Sequence, residues 1–99
     1  MMLTSKQRAF LRSLANGLEP ILHAGKGGVS DTLLRQADDA LTARELIKGR
    51  VLENAPASTR ELAEAIAAAV HAEVVQVVGR TFVLFRRKEK DSQIALPKA

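Results

Sequence analysis

Residues 20–30 read Pro-Ile-Leu-His-Ala-Gly-Lys-Gly-Gly-Val-Ser, a short apolar run, a glycine-rich loop and a helix cap in direct succession. Pro20 opens a strand over Ile21–Ala24, since its missing N–H is tolerated at a strand's first residue. The loop then sets Gly25 and Gly28 around Lys26 and Gly27. Glycine reaches positive φ and lets another backbone come close. Ser30 offers its hydroxyl to the unpaired N–H groups of a helix N-terminus, and Leu33, Leu34, Ala37 and Leu41 follow at helical spacing. A strand that turns through a tight loop into a helix is half of a β-α-β unit, so this stretch sets the class as α/β.

The flanking sequence extends that unit. On the N-terminal side Thr4 and Gln7 make a capping box, Phe10, Leu11, Leu14 and Leu18 recur at helical spacing, and Asn16-Gly17 ends the helix. On the C-terminal side Leu46–Glu53 reads as a strand, broken by Asn54-Ala-Pro56. Ser58 and Glu61 cap a third helix whose inward residues are Leu62, Ile66, Ala69 and Val70. Val74–Val78 and Thr81–Phe85 are β-branched and aromatic runs split by Gly79-Arg80, a two-residue link with glycine first that suits a type II′ hairpin. The order is α-β-α-β-α-β-β, an α/β fold with a four-stranded mixed sheet packed with helices. One domain is expected over residues 1–87, with a polar, loose tail over 88–99 in which Ile94 and Leu96 can dock.

Composition narrows the function. Apolar residues make up 46% of the 99, enough for one folded domain with a modest core. Three phenylalanines with no tyrosine or tryptophan supply a poor stacking platform for single-stranded bases. The lack of cysteine removes disulfides, thiolate catalysis and cysteine-based zinc sites. Met-Met-Leu-Thr-Ser-Lys turns polar at once and lacks the apolar stretch of a signal peptide. No run is long enough to span a bilayer. A cytoplasmic protein without membrane attachment is the expectation.

The net charge of +4 is unevenly spread. Residues 1–28 carry four basic residues against Glu19, a net +3. Residues 29–73 carry five basic and eight acidic residues, and residues 74–99 six basic and two acidic. Basic ends around an acidic middle attract a polyanion if the ends meet in the fold. The side chains placed to meet it are Lys26 in the loop, Lys6, Arg8 and Arg12 on the first helix, Lys48 and Arg50 on one face of the second strand, Arg80 at the hairpin tip and Arg86 after the last strand. The glycine loop adds backbone N–H groups at a helix start, where anions bind. An ordinary strand-to-helix turn and a solvated helix face would use the same residue types.

Catalytic readings find little support. His23 and His71 have no second ligand at metal spacing. Gly25-Lys26-Gly27-Gly28 lacks the Gly-Lys-Ser/Thr of a nucleotide-binding P-loop, and no serine stands in a nucleophile motif. No enzyme, cofactor or metal is expected. A separate reading is a protein-interaction domain that docks a basic partner through Asp38, Asp39, Glu61 and Glu64.

Four stretches together resemble the CRM domain, most closely its small bacterial single-domain members of the YhbY type. They are Leu3-Thr-Ser-Lys-Gln-Arg8, Leu18-Glu-Pro-Ile-Leu-His-Ala-Gly-Lys-Gly-Gly-Val29, Glu45-Leu-Ile-Lys48 and Val75-Gln-Val-Val-Gly-Arg-Thr-Phe-Val-Leu-Phe-Arg86. Ile94-Ala-Leu-Pro97 is similar to the family's ending. The resemblance implies a fold like the C-terminal domain of translation initiation factor three. It implies RNA binding by the Gly25–Gly28 loop and a neighbouring basic surface. It also implies association with ribosomal RNA in large-subunit precursors, whose assembly the protein would assist; a monomer is the separate expectation. Gly49 departs from the family pattern, which has a β-branched residue there, and is expected to weaken that strand slightly.

Overall fold

The computed structural model describes residues 3–88, 90 and 92–98. Its elements are α1 (Ser5–Ala15), β1 (Pro20–Ala24), α2 (Asp31–Arg44), β2 (Leu46–Val51), α3 (Thr59–Val70), β3 (Glu73–Val78) and β4 (Thr81–Phe85). Every expected N-terminal cap forms, while α1 ends at Asn16 without a left-handed glycine. Thr4 and Gln7 exchange hydrogen bonds of 3.1 Å in each direction, Ser30 Oγ accepts from the Leu33 N–H, and Ser58 and Glu61 close a second box. Gly79 has φ +57° and Arg80 has no positive φ, the pattern of a type II′ turn.

The sheet order is β1-β2-β4-β3. β1 runs parallel to β2, while β2 and β3 each run antiparallel to β4. α2 and α3 cover one face over Leu22, Ala24, Ile47, Val51, Phe82 and Leu84. α1 covers part of the other over Leu46, Val75, Val83 and Phe85. A bulge between Val74 and Gln76 shifts the alternation of β3, so Val74 and Val75 serve different cores. Among the described residues no helix is long and apolar enough to cross a membrane.

Three expectations change. β2 ends at Val51, not Glu53, because the chain turns at once and the Ala55 N–H closes onto Leu52 O at 3.1 Å. In α3, Ala63 and Ala67 are buried and Ala69 faces solvent. In α1, Leu11 and Ala15 form the buried ridge while Leu14 is 41% exposed.

Gly49 is also no simple weakness. It pairs across the ladder with Phe82, and a Cβ at 49 would lie 2.3 Å from Phe82 Cζ. The absent side chain is the space the ring fills, and Phe82 is buried as a result.

Glu45 joins α2 to β2 with φ +66° and is fully buried. Its carboxylate accepts from Ser92 Oγ at 2.7 Å, the Gln93 N–H at 2.6 Å and the Lys88 N–H at 3.2 Å. Burial raises its pKa, but bonds from Ser92, Gln93, Lys88 and Ile94 outweigh that and leave it below the ordinary value. Ile94 and Leu96 pack against the α1-side core, and Gln7 Nε2 donates to Pro97 O at 3.1 Å.

Candidate nucleic-acid interface

The glycine loop is a closed turn. The Gly28 N–H donates to Gly25 O at 2.9 Å, leaving Lys26 and Gly27 exposed at the tip. Gly28 has φ +59°, the left-handed region that glycine enters freely. Its own N–H is spent on the turn, so it is not among the N–H groups free for a ligand. The Leu52 N–H donates to Ala24 O at 2.8 Å, which sets the segment after β2 against the loop.

β1 and β2 deliver their C-terminal ends to the same edge of the molecule, and the β3–β4 hairpin tip joins them there. The Val51 N–H donates to Arg80 O at 2.7 Å. Arg80 shares a surface depression with Leu52, Glu53 and Ser58. Lys26 and Arg80 therefore stand on either side of the β2–α3 loop.

The sheet face below this edge is open. α1 covers only the half around Leu46 and Phe85, which pair at the opposite end of the sheet. The uncovered half carries a row from His23 through Arg50 to Thr81 on β1, β2 and β4, since Arg50 pairs with both neighbours. A second row, from Lys48 through Val83 to Gln76, marks its border with the covered half: Val83 is buried in the α1-side core, and Lys48 and Gln76 are half-buried. Asn16, at the end of α1, borders a depression with Lys48, Gln76, Val78 and Thr81. His23 and Arg50 are exposed and Lys48 is half-buried. The alternation of two buried neighbours around His23 was the sequence signal that it points outward.

α1 divides its cations. Arg8 flanks the buried ridge and donates through Nη1 to Val74 O, on the outer strand β3. That position is near the start of β3, at the sheet corner diagonal to Lys26, three strand spacings or about 14 Å across the sheet alone. Arg12 lies one turn further, between Arg8 and Asn16 on the same helical ridge. It is exposed beside the open half of the face. Lys6 is exposed in the first turn, on the far side of Arg8 from the loop. A single positive face holding both Arg8 and Lys26 is not what the fold builds.

Arg86 is committed to the other side. Nη1 donates to Asp38 Oδ1 at 2.7 Å and Val70 O at 2.8 Å, and Nη2 to Asp38 O at 3.0 Å and Thr42 Oγ1 at 2.9 Å. It ties α2 to the end of α3. The acidic side chains Asp31, Asp38, Asp39, Glu61 and Glu64 lie on those same two helices. The cations of the open face thus lie across the sheet from the carboxylates of α2 and α3, while Glu53 lies near Arg80 and Glu19 shares a depression with Lys48.

An α/β sandwich with one sheet face half uncovered, lined with cations and edged by a glycine turn, defines a class of domain that presents a surface to a polyanion. Within that class the chain belongs to the CRS1 / YhbY (CRM) domain family, which it matches over residues 3–86. It is 46% identical to "Probable RNA-binding protein YqeI" of Bacillus subtilis, over 97% of this chain and all of that protein. It is 36% identical to an "RNA-binding protein" of Haemophilus influenzae, over 97% of this chain and 96% of that one. The solution structure of SAV1595 from Staphylococcus aureus, described as a candidate RNA-binding protein, superposes with a TM-score of 0.82 and 45% identity. That match covers 97% of this chain and all of SAV1595.

Proposed function

We propose that this chain is an RNA-binding protein whose contact surface is the Gly25–Gly28 turn, the open sheet face with Lys48, Arg50 and Arg12, and Arg80 at the hairpin tip. In this reading the RNA is ribosomal, within precursors of the large subunit, and the protein works as a cytoplasmic monomer that assists assembly. The observation that carries the contact is the open half-face, where Arg50 stands exposed below the glycine turn and Lys48 half-buried beside the end of α1. The relatives' names support RNA as the polyanion. The resemblance to YhbY-type proteins supports the ribosomal target.

Docking of a basic protein through the acidic segment has no observation in its favour. Asp38 is held by Arg86, Glu61 closes its helix cap, and Glu64 pairs with Arg60.

Two measurements test the reading. RNA affinity falls steeply with salt, and Lys48→Ala and Arg50→Ala each flatten the log–log slope by about one unit. A cross-linking map of RNA bound in cells is expected to centre on large-subunit precursor RNA. Messenger or transfer RNA in its place would remove the ribosomal assignment and leave the surface standing.

A further inference from the structure

We infer that the loop between β2 and α3 positions the glycine turn, with Pro56 and Leu52 as the side chains that hold it. This rests on the RNA reading of that turn. A Cβ built on Gly28 would lie 3.0 Å from Pro56 Cγ, so the proline ring sits hard against the one left-handed residue of the turn. A Cβ on Gly25 would lie 3.3 Å from Leu52 Cδ1 and 3.5 Å from Asn54 Oδ1. The turn is thus gripped at both of its closing residues, while a Cβ at Gly27 would meet nothing within 4 Å. Leu52 and Pro56 are themselves exposed, Leu52 by 41%, although one is a large apolar side chain. Neither carries charge, so neither can neutralise a phosphate. Their effect on binding comes from fixing the turn before RNA arrives, which spares the ordering of a mobile loop.

The test is Pro56→Ala, with Leu52→Ala as a second variant, read by RNA titration over a range of salt and by amide hydrogen exchange at Gly28. Affinity is expected to fall about three- to ten-fold at every salt concentration with the slope unchanged. Exchange at Gly28 is expected to quicken, because its hydrogen bond to Gly25 O opens more often. Faster exchange with unchanged affinity would overturn the proposal. So would a slope reduced by a whole unit, which marks a lost phosphate contact. Loss of the cooperative melt in both variants would also overturn it, by making the loop part of the core. If the unaltered protein binds no RNA, the RNA reading itself fails, and the exchange data still report whether the loop holds the turn.

Discussion

Gly27 is a residue whose identity the fold does not require. It has no left-handed φ and open space around it, so alanine fits there without strain. Gly→Ala at such a site stabilises by roughly 0.4–1 kcal/mol through the unfolded chain. We expect Gly27→Ala to melt at the same or a slightly higher temperature and yet to bind RNA more weakly, because the proposed contact brings a phosphate backbone to where the added methyl stands. A thermal melt and a titration on one sample check both halves. Arg86 makes the opposite case. Arg86→Ala strands Val70 O and Thr42 on a partly covered surface and is expected to cost about 1.5–3 kcal/mol, the range for hydrogen bonds to a charged group. The ion pair itself adds little, since Asp38 is more than half exposed. Chemical denaturation should show that loss, and the salt slope of RNA binding should stay where it was. Sequence could not separate these two residues. Arg86 reaches Asp38 across 48 positions, and in the sequence it read as one more cation placed to meet the polyanion.

At the scale of elements, local patterns were legible and the contacts between elements were not. The caps at Thr4, Ser30 and Ser58, the hairpin at Gly79-Arg80 and the period-two face of β2 each depend on residues a few positions apart, so the sequence displays them. Gly49 read as a weak point because its partner Phe82 is distant in the chain. Gly49→Val is expected to destabilise β2 and β4 by about 1–3 kcal/mol through overlap with the ring, and a denaturant midpoint shift measures it. Glu45 read as one letter of a motif, and its burial under the tail was invisible. Its native pKa lies below the unfolded value of about 4.5, so the stability it contributes is complete above that pH and lost as pH falls through the native value. Acidification below about pH 4.5 should therefore lower the protection of the Gln93 amide, relative to its unfolded exchange rate at the same pH, before the sheet opens, and Glu45→Gln should show that protection already lowered at neutral pH.

For the whole molecule, the decisive unknown in the sequence was how α1 lies across the sheet. Its amphipathic ridge fixes which side is buried but not where along the face it rests. In the fold it covers one half, and this separates two arginines that are one helical turn apart. Arg12→Ala is expected to weaken RNA binding and reduce the salt slope, whereas Arg8→Ala should leave the slope unchanged and lower stability, since Arg8 serves Val74 O. Equal effects of the two on RNA binding would mean that the bound surface reaches round the β3 edge.

The hydrogen bond from Gln7 to Pro97 joins positions ninety residues apart. It fastens the start of α1 to the last part of the tail, at the end of the molecule remote from Lys26. An anchor fixed through Lys98 therefore holds the protein from behind. A chip surface, a fluorophore or a second domain spliced there leaves the glycine turn and the open half-face pointing into solution, so a tethered molecule should capture RNA as well as a free one.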